Sequence, residues 1–178
     1  MGSEMCIRDR HNHVGFTPKS VLIVGYSYDA PQVAHEVADY LRSRGITSSI
    51  LSTDPWNEPP GACSASVIDE ARSTASSSDL IIVLGGDGSF LRGTDLAHGA
   101  DIPIIGINMG HVGFLAELEA DNIWNALDRL ISGDFTVEDR MTIDVGVVSD
   151  NRVRTGSWAI NEPVSYTHLR AHETSLHL

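Results

Sequence analysis

The stretch GGDGS at residues 85–89 places one carboxylate among three glycines, directly after the apolar run LIIVL at 80–84. Glycine tolerates positive φ and has no Cβ, so a ligand can approach the backbone of such a turn closely. Successive backbone N–H groups followed by a helix N-terminus form a cradle for anions such as phosphate. The glycines Gly85, Gly86 and Gly88 therefore predict a turn that binds a phosphate or a nucleotide.

Asp87 needs a separate explanation, because a carboxylate repels phosphate. It can instead accept the proton of a hydroxyl nucleophile, or hold a divalent cation beside phosphates. Arg92 would lie about one helical turn beyond Gly88, where a guanidinium can assist with phosphate charge. The alternative is that Asp87 only caps the next helix through its side-chain oxygen. The spacing is neither that of a Walker A loop nor G-x-G-x-x-G, so the motif alone leaves both interpretations open.

The elements around this turn are predicted from apolar runs and their periods. The predicted strands are 20–25, 46–51, 79–86 and 101–108, and the predicted helices are 30–45, 89–98 and 122–133. Residues 52–66 are predicted to form a long loop, because they are rich in Pro, Gly, Ser and Asn. The period then changes to strand alternation over 141–147, and 156–161 is predicted as the returning strand. This order predicts an α/β fold: an open, mainly parallel sheet with flanking helices, followed by the start of a β-rich part.

The composition restricts the class of partner. The chain has 178 residues and a formal net charge of −12, which opposes bulk attraction to nucleic acid or to an anionic membrane. Its two cysteines, Cys6 and Cys63, do not form a pair with ligand-like spacing, which favours a reducing, cytoplasmic location. No apolar run approaches the roughly 20 residues that cross a bilayer. We therefore predict small-molecule nucleotide partners, with no nucleic acid and no membrane.

Four blocks in order resemble the N-terminal half of bacterial NAD kinases: GGDGSFLRG, IPIIGINMGHVGFLAE, VEDRMTIDV and WAINE. The resemblance extends from about Ser20 to Glu162. It implies an enzyme, a phosphotransferase that moves a phosphoryl group from ATP or polyphosphate to the 2′-hydroxyl of the adenosine ribose of NAD, giving NADP. The first block alone also resembles 6-phosphofructokinases and diacylglycerol-type lipid kinases, whereas the later blocks separate the chain from both. A non-catalytic nucleotide-binding module is the remaining alternative.

The resemblance also assigns roles to residues. It makes Asp87 the catalytic group that accepts the proton of the ribose hydroxyl. It places Phe114 beside the adenine and makes Asn161 and Glu162 the family's NE element. With the glycine turn included, the predicted substrate- and nucleotide-binding residues are Gly85, Gly86, Gly88, Arg92, Phe114, Asn161 and Glu162. The implied partners are Mg²⁺ carried with ATP, NAD as a substrate, and further copies of the chain in a homo-oligomeric full-length parent.

The chain departs from the family at both ends. We predict a disordered extension outside the family at 1–19, the α/β kinase domain at 20–140, the first strands of a truncated β-rich domain at 141–162, and a tail outside the family at 163–178. The family's Thr/Ser/Gly-rich loop, which completes the NAD site, does not follow the NE element. Both ends look like translated adapter or assembly-end sequence. We therefore expect a fragment that is inactive alone.

The tail carries His168 and His172 at four-residue spacing, which on a helix is typical of a metal site. Because the tail does not resemble the family, we predict no metal site in it.

Overall fold

The computed structural model describes residues 13–14, 16–25, 30–51, 65–100, 102–110, 118–149, 152–160, 165–169 and 172–176. The chain divides into two compact units. One comprises Asn12–Val137, and the other comprises Glu138–Leu178 together with Met1–His11.

The larger unit is built around a parallel sheet. Its elements are β1 (His13–Val14), β2 (Ser20–Gly25), α1 (Ala30–Ser43), β3 (Thr47–Leu51), α2 (Ala65–Ser76), β4 (Leu80–Leu84), α3 (Asp87–Ala97), β5 (Ile104–Asn108), β6 (Leu118–Glu119), α4 (Ile123–Ser132) and β7 (Thr136–Val137). The five-stranded sheet has the order β3-β2-β4-β5-β6, and every neighbouring pair is parallel. Strands β1 and β7 form a separate antiparallel pair. The predicted α/β class with a parallel sheet is confirmed.

The strand order reverses between β2 and β4. The chain passes from β2 through α1 to β3 on one side, and α2 then returns it to β4 on the other side of β2. Loops that leave neighbouring strands in opposite directions open a crevice at the carboxyl ends, where ligands bind in open α/β sheets. The glycine turn at 85–88 follows β4 at this position.

Both faces of the sheet are covered, because alternate strand residues point to opposite sides. On one face Val21 and Ile23 pack in the same cluster as helices α1 and α4. On the other face Leu22 and Val24 pack with residues of α2 and α3. All five residues of β4 are buried, in agreement with the continuous apolar run.

The predicted strands β2 to β5 are confirmed, as are helices α1 and α4. Helix α3 begins at Asp87 rather than at residue 89, because Gly86 takes the N-cap position. The loop predicted over 52–66 is wrong at its end, since α2 begins at Ala65. This helix was not predicted: of its described side chains only the small Ala71 and Ala75 are buried, so it lacks a stripe of large apolar residues.

In the smaller unit, β8 (Ile143–Ser149) pairs antiparallel with β9 (Arg152–Ala159). Strands β10 (Ser165–Leu169) and β11 (His172–Leu176) form a second antiparallel pair. His168 and His172 therefore lie on two paired strands and do not share a helical face.

Residues 13–14 lie within the segment 1–19 that is predicted to be disordered, and they form β1 against β7. The domain limits and the assignment of both ends to sequence outside the family stay predictions. None of the helices in the described ranges combines the length and the apolar character needed to cross a membrane.

Candidate functional site

The turn after β4 is held by backbone hydrogen bonds. Gly85 is buried, and its N–H donates to the carbonyl of Ile107 in β5 at 3.0 Å. Its φ of 151° lies in the region that favours glycine. Gly86 is the N-cap of α3, and its carbonyl accepts the N–H of Phe90 at 3.0 Å. The turn is thus anchored to the neighbouring strand on one side and to a helix on the other.

Asp87 is the first residue of α3 and is half-buried. The N-cap position belongs to Gly86, and no side chain caps the helix there. Asp87 therefore lies one position after the N-cap, the position where side-chain capping is most common, and both interpretations of its role stay predictions. The positive end of the helix dipole favours a carboxylate in the first turn. The arrangement places a carboxyl side chain just after the end of a buried strand.

The backbone on the outer side of the turn is open. Gly86 and Gly88 are exposed, and a Cβ added to either would meet no atom within 4 Å. Backbone that is free on this side can be approached closely by a ligand. This geometry suits the phosphate cradle that the sequence predicts.

Arg92 lies on the same helix as Asp87 and is half-buried. It follows Gly88 by one turn, or about 6 Å along the helix axis, as predicted. The structure thus brings together Gly85, Gly86, Asp87, Gly88 and Arg92. The roles of these residues stay predictions.

Two residues that sequence reasoning did not select also shape this edge. Gly93 allows α3 to lie against β4, because a Cβ there would stand 2.5 Å from Cγ2 of Val83. Asn108 ends β5 with a buried side chain, whose Oδ1 accepts the N–H of Gly110 at 3.0 Å. The available signal for Asn108 was a polar residue closing the apolar run IIGI.

The remaining predicted site residues, Phe114, Asn161 and Glu162, lie outside the described residues. Within the described ranges, no group of three or more His, Cys, Asp or Glu side chains is placed to hold a metal ion.

Comparison with known proteins identifies relatives of the chain. The family model described as the ATP-NAD kinase N-terminal domain matches residues 22–135. The NAD kinase of Corynebacterium efficiens is 43% identical over 152 residues, which cover 82% of this chain and 48% of that protein. The NAD kinase of Corynebacterium glutamicum is 49% identical over 129 residues, which cover 70% of this chain and 44% of that protein. The chain thus spans about half the length of these curated relatives.

Among solved structures, a yeast NADH kinase complexed with NADH has a similar fold. The TM-score is 0.58 at 15% sequence identity, and the match covers 84% of this chain and 52% of that one.

Proposed function

The chain belongs to the NAD kinase family, and from this premise we propose that the protein transfers a phosphoryl group from ATP or polyphosphate to the 2′-hydroxyl of the adenosine ribose of NAD, giving NADP. The observation that carries the proposal is the backbone turn Gly85–Gly88, which holds Asp87 at the reversal point of the parallel sheet. The matches to NAD kinases favour this acceptor over the sugar and lipid acceptors of other kinases with a GGDG turn.

In this mechanism the groups of the turn act on different parts of the two substrates. The open backbone at Gly86 and Gly88 receives phosphates. Arg92 supplies positive charge one turn along the helix. An Oδ atom of Asp87 accepts the proton of the ribose 2′-hydroxyl, so that the oxygen becomes a better nucleophile. General-base help of this kind contributes roughly 10²–10⁴-fold to rate.

The residues present fit a magnesium ion that arrives with the nucleotide. Mg²⁺ commonly takes one or two protein carboxylates and completes its shell with phosphates and water. Asp87 is the carboxylate of this turn that would contribute to holding it. The ion would neutralise charge on the transferred phosphoryl group.

The rest of the family's site is also part of the proposal. Phe114 would pack near the adenine, and Asn161 and Glu162 would bind the nucleoside. We further propose a cytoplasmic location and a homo-oligomer in the full-length protein. The present 178-residue chain is expected to bind NAD weakly and to turn it over negligibly.

The test measures NADP formation from ATP, Mg²⁺ and NAD by two proteins. One is the chain itself; the other is the chain joined after Glu162 to the part of the Corynebacterium glutamicum NAD kinase that follows the matching position. The joined protein is expected to form NADP, and the chain alone is not. NADH, fructose 6-phosphate and diacylglycerol serve as competing acceptors. Transfer to a sugar or a lipid in preference to NAD would refute the proposal.

The matched pair Asp87→Asn and Asp95→Asn tests the proton acceptor in the joined protein. Both make the same chemical change on α3, and Asp95 instead forms an ion pair with Arg72 at 3.1 Å. We expect Asp87→Asn to lower kcat by roughly 10²–10⁴-fold. Asp95→Asn is expected to leave kcat within about twofold of the unsubstituted protein, because a surface ion pair contributes little to stability. Equal kcat values for the two variants would exclude Asp87 as the base.

A further inference from the structure

Asn108 is an unusual residue at the edge of the sheet that carries the turn. Among the described residues, the buried polar side chains are Thr94, 8% exposed, and Asn108, 4% exposed. The Thr94 hydroxyl donates to the Leu91 carbonyl within its own helix, at 2.7 Å. Asn108 instead stands at the carboxyl end of β5. Burying a carboxamide costs free energy unless it forms hydrogen bonds. A hydrogen bond formed by the Asn108 side chain therefore contributes to the stability of this part of the sheet.

The Asn108 side chain fixes how the chain leaves β5. Its Oδ1 accepts the N–H of Gly110, two residues on, at 3.0 Å. Asparagine closes a turn on its own backbone in this way and so holds the direction of the departing chain. The end of β5 is also paired on its far side, because Ile107 and Asn108 are in register with Leu118 and Glu119 of β6.

This strand end is connected to the turn that carries Asp87. The last registered pair between β4 and β5 is Leu84 with Ile107, so Gly85 and Asn108 are the next residues on the two strands. The Gly85 N–H donates to the Ile107 carbonyl at 3.0 Å. This hydrogen bond joins the turn to β5 at the residue directly before Asn108.

We infer that Asn108 is a positioning residue for the proposed phosphoryl transfer: it fixes the exit of β5 and, through the Ile107–Gly85 hydrogen bond, the place of the Gly85–Gly88 turn. The inference rests on the proposed function. Asn108 need not touch substrate, because its effect passes through the backbone. Misplacement of a reacting group by about 1 Å can cost on the order of 10²-fold in rate, so the height of Asp87 above the sheet matters.

The test compares Asn108→Ala, Asn108→Ser and Thr94→Val in the full chain. Amide hydrogen exchange is followed by NMR at Gly110, at Gly85 and at Ile82, the last in the buried middle of β4. In Asn108→Ala the Gly110 amide is expected to exchange about tenfold faster, and Gly85 is expected to accelerate more than Ile82 does. Serine can close the same turn more weakly, so Asn108→Ser is expected to restore part of the protection.

Thr94→Val controls for the loss of a buried polar group elsewhere. It is expected to leave the difference between Gly85 and Ile82 unchanged. Acceleration by the same factor at Gly85 and Ile82 in Asn108→Ala would show a general loss of stability and would overturn the inference.

Titration with NAD gives the functional readout. We expect Asn108→Ala to weaken NAD binding by about tenfold and Asn108→Ser to weaken it less. A folded Asn108→Ala chain with unchanged NAD affinity would also overturn the inference. If the unsubstituted chain shows no NAD binding, that result counts against the proposed function in this chain, and the exchange comparison alone still decides whether Asn108 positions the turn.

Discussion

Two glycines of one helix, Gly88 and Gly93, have different physical reasons for being glycine. A Cβ at Gly88 would meet nothing within 4 Å, whereas a Cβ at Gly93 would stand 2.5 Å from Cγ2 of the buried Val83. Valine is stiff at χ1, so this contact is relieved only by shifting helix or strand. The first glycine leaves room for a ligand, and the second leaves room for a neighbouring strand.

The pair makes a sharp prediction for alanine substitutions. Gly93→Ala should destabilise the fold by about 1–3 kcal/mol, because it overpacks the contact between α3 and β4. Gly88→Ala should leave stability unchanged or raise it by up to about 1 kcal/mol, because alanine favours a helix. It should nevertheless weaken NAD binding, because the added methyl group occupies the open side of the turn. Urea denaturation and NAD titration of both variants measure these effects, and a Gly93→Ala chain as stable as the parent would contradict the packing argument.

Residues whose role is local could be predicted from the sequence, and residues whose role depends on a distant partner could not. The Gly85–Gly88 turn and Asp87 are recognisable because their geometry follows from neighbours along the chain. Gly93 matters because of Val83 on another element, and Asn108 because of a bond made beside it to Gly85. Neither contact can be inferred before the strand order and register are known.

At the scale of elements, β2 and β4 are tied at the ends opposite the turn by Asp79. Its Oδ2 accepts the backbone N–H groups of Lys19 at 2.8 Å and Ser20 at 2.9 Å, and the Ser20 hydroxyl at 3.1 Å. These bonds hold the pKa of Asp79 below its ordinary value. The hydrogen bond from the Lys19 amide contributes most, followed by the one from the Ser20 amide. The ionised carboxylate therefore joins the starts of two neighbouring strands.

This bond predicts a pH-dependent effect of Asp79→Asn. Because the pKa is lowered by folding, the stabilisation is fully present above the unfolded pKa of about 3.9 and is lost as the pH falls through the lower folded value. At pH 7 the substitution should cost about 1 kcal/mol, since Asp79 is exposed and water weakens the effect. Urea denaturation of both chains from pH 7 down to pH 3 measures the difference. A difference that grows as the pH falls would have the wrong sign for this explanation.

Elements that bury large apolar side chains could be predicted from the sequence, whereas an element that buries small ones could not. Strand β4 is buried along its whole length, and its five apolar residues identified it at once. Helix α2 contributes Ala71 and Ala75 to the core, and small side chains leave no clear helical period in the sequence. The helix follows from topology instead, since a parallel strand next to β2 needs a crossover to reach it.

At the scale of the whole molecule, the larger unit has a hydrophobic core of its own on both faces of its sheet. The buried hydrophobic residues lie between Val21 and Leu130, among the side chains whose burial the structure describes. The two ends of the unit also meet each other, because β1 pairs with β7 and the rings of Phe16 and Phe135 make an edge contact at 5.6 Å. A segment that has its own hydrophobic core is expected to fold independently, and here the two ends of the segment also pair with each other.

We therefore predict that residues 12–137 fold without the remainder of the chain. Circular dichroism should show a cooperative thermal transition within a few degrees of that of the full chain. A loss of about 1 kcal/mol would lower Tm by roughly 2–8 °C in a domain of this size, so a small shift means that little stability is lost. A second truncation, 12–117, removes β6 and α4 and uncovers the apolar face against which Leu127 and Leu130 pack. It is expected to lose the cooperative transition. Loss of the cooperative transition by residues 12–137 as well would contradict the prediction. It would mean that the fold of the larger unit depends on the strands after Val137.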